Sequence, residues 1–253
     1  MGPLLVVMLV WWAGLVLKTN VFFASADLHL LQDVGHHHTG TGNVIALAID
    51  AGLGGLSAVV VLVVATAAVM ALKRSVTDGL VVLVLTVGGW AATAVMKVMV
   101  GRDRPDQSLL SDSLLPGVQG PTSYPSGHTA FAVSLGIAVS LVILQTRWRV
   151  PLISGAAIFA VVVGASRIYL GVHYLSDVLA SFALSTAAAI LLSGALASLR
   201  LMPVEGKRWW TGTQRRCSSG SPLASISSDG GVTPASLRWP KERKPDARTT
   251  GRG

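Results

Sequence analysis

Six long apolar stretches, at roughly 3–23, 44–72, 79–100, 128–146, 150–166 and 175–200, fill most of the first two hundred residues. A bilayer span takes about twenty mostly apolar residues. Peptide groups in hydrocarbon have no water to bond, so such spans must be helices. A soluble protein would have to cover six of these helices with a charged shell. Only 13% of the 253 residues are charged, about half the roughly 25% usual in soluble chains. The composition thus argues against a soluble enzyme, against a disordered chain and, with Cys217 the single cysteine, against a disulfide scaffold. The expected fold class is all-α: a polytopic membrane bundle of six transmembrane helices with a disordered C-terminal tail. No internal repeat is visible.

The net charge of +8 is unevenly spread. Residues 1–202 hold ten Lys/Arg against eight Asp/Glu, and residues 203–253 hold ten against four. The last segment is rich in Ser, Gly, Pro and Thr and has no apolar periodicity, which reads as a basic, disordered tail. Two units are therefore expected: a six-span membrane domain over 1–202 and a cytoplasmic tail over 203–253. Nothing supports a nucleic-acid partner, because the tail lacks regular aromatic interleaving and the body lacks a basic patch. Basic residues set orientation. Lys73 and Arg74, Arg147 and Arg149, and Arg200, Lys207 and Arg208 mark alternate connections, which predicts that these and both termini are cytoplasmic. The 101–127 and 167–174 connections then face outward. Met1 to Leu17 followed by Ala24-Ser25-Ala26 also reads as a secretory signal with its cleavage site. The lack of Lys or Arg before the apolar run favours a retained span.

Three clusters on the outward side carry most of the chemistry. Lys97 and Arg104-Pro105 are seven residues apart, two helical turns, which predicts both cations near one face as the third span ends. Lys97 by itself also reads as a snorkelling anchor. Tyr124-Pro125-Ser126-Gly127-His128 precedes the fourth span, with Ser126 as a candidate N-cap. Gly127 lets an anion approach the backbone at a helix N-terminus; an ordinary turn and cap is the plainer reading. Ser166-Arg167 is followed by His173 and Asp177, an i,i+4 pair if helical. An Asp beside an imidazole fixes its tautomer and prepares a nucleophile; a structural His–Asp bond is the alternative.

Together these clusters gather three cations, two histidines and one carboxylate where the outer ends of spans three, four and six meet. Charges at a membrane face are costly to leave unpaired and are functional candidates by default. The excess of positive charge suits a phosphate, whose oxygens Arg engages in a bidentate fork.

Lys97-x6-Arg104-Pro105, Pro125-Ser126-Gly127-His128 and Ser166-Arg167-x5-His173-x3-Asp177 resemble the three-part signature of the type 2 phosphatidic acid phosphatase superfamily. That group includes bacterial membrane lipid phosphatases and undecaprenyl pyrophosphate phosphatases. The resemblance covers about residues 1–200, with every signature residue in order, and does not reach the tail. It implies that His173 attacks phosphorus, with Asp177 orienting it, and that His128 protonates the leaving oxygen and later activates water. It implies that Lys97, Arg104, Ser126, Gly127 and Arg167 hold the phosphoryl oxygens, and that no metal or other cofactor takes part.

The expected function is therefore an integral membrane phosphatase acting on a lipid phosphate or diphosphate through a phosphohistidine. An isoprenyl diphosphate comes first, then phosphatidic acid or phosphatidylglycerophosphate, by family habit and not by any residue that reads a tail. A phosphotransferase with the same site and a non-enzymatic membrane protein are the alternatives. The vanadate-dependent haloperoxidases resemble the pocket too, but they are soluble. The partners expected are the lipid substrate and the bilayer. Leu109-Leu110 and Leu114-Leu115 are placed to guide a lipid. His36-His37-His38 reads as a solvated loop, with a metal site as the alternative. Asp50, inside the second span, either faces the cavity or pairs locally.

Overall fold

A computed structural model of the chain describes residues 1–110, 120–144 and 146–199. The tail over 203–253, with Cys217, and Leu114-Leu115 lie outside these residues. Among the described residues the chain forms eight α-helices: α1 Gly2–Thr19, α2 Val21–Gly35, α3 Gly40–Leu53, α4 Gly55–Lys73, α5 Val76–Val100, α6 Gly127–Val142, α7 Arg149–Tyr169 and α8 Leu175–Ser198. No strand occurs among them, and the one isolated bridge joins Asp103 to Thr122.

Five helices, α1, α4, α5, α7 and α8, are long and apolar enough to cross a bilayer, and α3 and α6 are shorter apolar helices. Their outward faces carry the large apolar side chains. Val59, Val60, Val63 and Val64 of α4, Val95 and Val98 of α5, and Val161 and Val162 of α7 are all exposed. A contiguous apolar exterior of this kind belongs in lipid. The inside is instead small and polar: Thr86, Thr93, Ser134, Ser181 and Ser185 are buried. Small residues let helices approach closely where lipid removes the hydrophobic driving force. A Cβ built on Gly89 of α5 would overlap the Ser134 hydroxyl of α6, and one on Gly164 of α7 would lie 2.8 Å from Val178 of α8. The interior is thus built around α5, α6 and α8, which all contact one another, with α7 packed on α6 and α4 on α5.

The helices depart from the six expected stretches in two places. The first stretch ends at Asn20, whose side chain accepts from the Phe22 and Phe23 N–H groups and so starts a second helix, α2. That helix fills much of the interval between the first two apolar stretches. The second stretch divides at Gly54-Gly55 into α3 and α4. Gly55 has φ +49°, a left-handed conformation that interrupts the helix and that glycine adopts without a Cβ penalty.

One end of the bundle collects the ends of several helices. Gly101, at φ +60°, closes α5 by donating its N–H to the Lys97 carbonyl at 2.9 Å. The Lys18 ammonium of α1 satisfies the next open carbonyl, Val100, at 3.0 Å, as cations do at helix C-termini. Tyr124, buried, donates its hydroxyl to the Val10 carbonyl of α1 at 2.6 Å and anchors the segment before α6. The Tyr124–Pro125 bond is cis.

Candidate active site

His173 lies in the turn before α8, and Asp177 is in the first turn of that helix. The pair is therefore not two neighbours on one helical face, as the spacing suggests. Asp177 reaches back over the helix start, where its Oδ2 accepts the Tyr174 N–H at 3.0 Å and stands 3.4 Å from His173 Nδ1. This fixes Nδ1 as the protonated nitrogen and leaves Nε2 with a lone pair. His173 is 1% exposed. Burial, and then the charges of Arg104, Lys97 and Arg167, hold its imidazole well below the ordinary histidine range. At neutral pH it is an uncharged base.

Asp177 is fully buried and needs a counter-charge. Arg102 supplies it: Nη1 donates to Asp177 Oδ1 at 2.9 Å and Nη2 to Asp27 Oδ2 at 3.0 Å. Arg102 Nη1 also donates to Ser176 Oγ at 2.7 Å, and Ser176 Oγ donates in turn to Asp27. The guanidinium lies 4.0 Å from the centre of the Tyr174 ring. Arg102 and Asp27 have no part in the expected site. The available signal was a second arginine two residues before Arg104, in a turn at the membrane face, that would require a carboxylate.

Arg167, at the end of α7, is fully buried. Its Nη1 donates to Asp50 Oδ1 at 2.6 Å, while Nε and Nη2 have no partner among the described residues. Two buried, unpaired N–H groups of a guanidinium are expensive and form one edge of a fork suited to two phosphoryl oxygens. Asp50 therefore belongs to this cluster and not to a local pair. His128 Nε2 lies 3.4 Å from the Asp50 carbonyl and 3.7 Å from Asp50 Oδ1.

Lys97 and Arg104 come from different backbone, because α5 stops at Val100 and Arg104 follows in an extended segment. Two continuous turns of helix are not what brings them to one site. The Gly101 turn redirects the chain. Lys97 Nζ donates to the Thr122 and Ser123 carbonyls at 3.0 and 3.1 Å. Arg104 donates to Gly120 O at 2.6 Å and Val172 O at 2.8 Å, and its Nη1 lies 3.4 Å from His173 Nε2.

Ser126 occupies the N-cap position of α6, but its side chain makes no capping bond. It instead accepts from the Thr129 hydroxyl at 3.0 Å, which leaves its own proton for another acceptor. The first N–H groups of α6, from Gly127 on, therefore have no side-chain cap and suit an anion. A Cβ on Gly127 would come no nearer than 3.8 Å to Trp90 Nε1, so Gly127 contributes accessible backbone and not a tight fit.

The histidine tract sits elsewhere. His37 Nδ1 meets the Asp33 carbonyl, and His38 Nε2 meets the Tyr169 carbonyl, both at 2.8 Å. His38 also packs on the Tyr169 ring, with centroids 4.3 Å apart. It is thus a half-buried tie between the α2–α3 turn and α7, and only His36 and His37 are exposed. Among the described residues no group of three or more His, Cys, Asp or Glu is arranged to hold a metal.

Fold and site together define a helical membrane protein with a buried, cation-rich cluster around a histidine. The family model of the PAP2 superfamily matches residues 54–199, and the chain belongs to that superfamily. It is 31% identical over 150 residues to phosphatidylglycerophosphatase B of Bacillus subtilis, covering 56% of this chain and 70% of that one. It is 34% identical over 121 residues to an undecaprenyl-diphosphatase of Sulfolobus acidocaldarius, covering 48% of this chain and 56% of that one. Its fold is similar to the crystal structure of a transmembrane PAP2-type phosphatidylglycerolphosphate phosphatase from Bacillus subtilis. There the TM-score is 0.65 at 23% identity, over 78% of this chain and 96% of the other. Aquifex aeolicus LpxE is also similar in fold, with a TM-score of 0.50 at 21% identity over 65% and 92% of the two chains.

Proposed function

We propose that this chain is a membrane phosphatase that hydrolyses the phosphate or diphosphate of a lipid through a phosphohistidine at His173. The observation that carries this reading is the state of His173. Its Nδ1 is held by Asp177, its Nε2 keeps a lone pair 3.4 Å from Arg104 Nη1, and the unpaired edge of Arg167 belongs to the same cation cluster. A neutral imidazole in such surroundings is a nucleophile beside a place for the phosphoryl group it attacks.

His173 Nε2 forms a bond to phosphorus as the bond to the leaving lipid oxygen breaks, and that oxygen takes a proton from His128. Water then attacks phosphorus and gives a proton to His128, and the N–P bond breaks with its electron pair returning to His173. Charge on the transferring phosphoryl group is met by Lys97, Arg104, Arg167, the Ser126 hydroxyl and the Gly127 N–H. None of these steps draws on a metal.

The relatives' names cover both a phosphatidylglycerophosphate and an undecaprenyl diphosphate, and both are substrates to test, with phosphatidic acid as a third. A headgroup site at the rim of the bundle lets a lipid keep its tail in the bilayer. The basic connections support an extracytoplasmic site, cytoplasmic termini and a 1–202 catalytic domain followed by a 203–253 tail. Purified protein without divalent metal should release phosphate from at least one lipid of the panel; release from none would contradict the reading. For sidedness, Ser111→Cys in a Cys217→Ser background should react with an impermeant thiol reagent in intact cells. Reaction only after permeabilisation would invert the topology.

A further inference from the structure

Asp50 lies outside the part of the chain that matches the PAP2 family model, which begins at residue 54. It nevertheless enters the cluster that the proposed reaction uses. Its Oδ1 takes Nη1 of Arg167 at 2.6 Å, and the same oxygen and its own carbonyl stand 3.7 and 3.4 Å from His128 Nε2. The backbone is shaped for this. Asp50 is in the last turn of α3, just before the break at Gly54-Gly55. A Cβ on Gly54 would lie 2.8 Å from the Asp50 carbonyl and 3.5 Å from His128 Nε2. The helix break therefore gives His128 room to reach the exposed end of α3, which an unbroken, side-chain-bearing helix would block.

We infer that Asp50 is a positioning residue of this active site, holding Arg167 with its carboxylate and meeting His128 with its carbonyl and the nearby carboxylate charge. By engaging Nη1 it turns the other edge of the guanidinium, Nε and Nη2, toward an incoming phosphate, and those are the two atoms left without a partner among the described residues. Its backbone carbonyl, 3.4 Å from Nε2, sets the ring plane of the histidine that is proposed to pass a proton to the leaving oxygen, and its carboxylate places a negative charge 3.7 Å from the same nitrogen. The titratable and charged groups around His128 are Asp50 from α3, Arg167 from α7, Arg104 from the segment after α5 and His173 before α8. Asp50 is the acidic member of that set, so it also offsets two cations beside a histidine that must carry a proton.

The inference rests on the phosphatase reading, and the test separates the two. The ratio of kcat/KM on a lipid phosphate to kcat/KM on p-nitrophenyl phosphate cancels what Arg167 contributes to both substrates. It isolates the need for a proton at the leaving oxygen, because p-nitrophenolate departs without one. Asp50→Ala should lower this ratio about tenfold or more, an effect of the size general acid catalysis supplies, and should weaken inhibition by inorganic phosphate through the loosened Arg167. Asp50→Asn, isosteric and still an acceptor for Nη1, secures the comparison if the alanine variant fails to fold. It should lower the ratio with less effect on phosphate inhibition. An unchanged ratio in the folded variants, with the wild type active, would overturn this inference alone. A wild type that releases phosphate from neither substrate would overturn the phosphatase reading and this inference with it.

Discussion

Arg102 and Asp177 form a buried ion pair, Nη1 to Oδ1 at 2.9 Å, with Asp27 on the far side of the same guanidinium at 3.0 Å. Asp177 faces His173 with its other oxygen. One side chain from the α5–α6 connection thus holds the carboxylate that orients the candidate nucleophile, and one from α2 holds that side chain. Arg102→Ala strands a buried carboxylate, which costs about 3–5 kcal/mol. Its thermal midpoint in detergent should drop, and turnover should be lost. Asp27→Asn keeps the Arg102–Asp177 pair and should cost less on both counts. Equal loss in the two variants would mean that Asp27, not the inner pair, carries the order of the site.

Replacing His173 by Ala removes the nucleophile and should abolish phosphate release. His38→Ala breaks only the contact with Tyr169 and should leave turnover within about threefold, since His38 touches none of the proposed catalytic groups. Steady-state assays on one lipid phosphate distinguish them. Similar losses would mean the site is misplaced.

Arg167→Lys keeps a charge but removes the planar fork. The two unpartnered N–H groups, Nε and Nη2, disappear together. We expect kcat/KM to fall about a hundredfold, in line with the roughly 3 kcal/mol of one or two charge-assisted bonds in a dry site. A lysine variant with near-normal kcat/KM would show that Arg167 serves only as a point charge.

His173 is held low chiefly by burial and then by three neighbouring cations. A base with a lowered pKa stays neutral further into acid, so the acid limb of kcat/KM should fall well below the ordinary value near 6.5. The same shift acts on stability with a definite sign. On unfolding, His173 regains a pKa near 6.5 and binds a proton that the native state refuses. Stability from this group is therefore full above that value and declines as pH falls below it, until the native histidine itself titrates. Rate and unfolding measured from pH 5 to 8 check both. A limb centred at or above 6.5 would contradict the account.

Gly89→Ala places a Cβ against the Ser134 hydroxyl, where α5 and α6 meet. Overpacking of this kind costs about 1–3 kcal/mol, and a lowered thermal midpoint should report it. An unchanged midpoint would show that Ser134 can turn away.

The gathering of the candidate site residues was legible in the sequence where it depends on residue type. Lys97, Arg104, Ser126, Gly127, His128, Arg167, His173 and Asp177 do converge on one end of the bundle, because the clusters sit at helix ends that the bilayer places together. It was least legible where backbone breaks decide. Apolar runs continue through Gly54-Gly55 and past Asn20, so hydropathy could not divide α3 from α4 or show α2. Those breaks are what bring in Asp50 and Asp27, two carboxylates remote in sequence from every motif. Arg102 stands in the sequence only as one more outward cation: its role lies in partners 75 residues away on either side, and spacing along the chain carries no trace of them.

A phosphohistidine is a covalent species, so chemical trapping can capture it. Protein mixed with a lipid phosphate carrying labelled phosphorus, quenched in alkali within the turnover time, should hold label as an alkali-stable, acid-labile phosphohistidine that peptide mapping assigns to His173. His128→Ala should retain more of it if water activation is slowed, and His173→Ala none. Steady phosphate release with no label on His173, or label that persists in His173→Ala, would contradict the account.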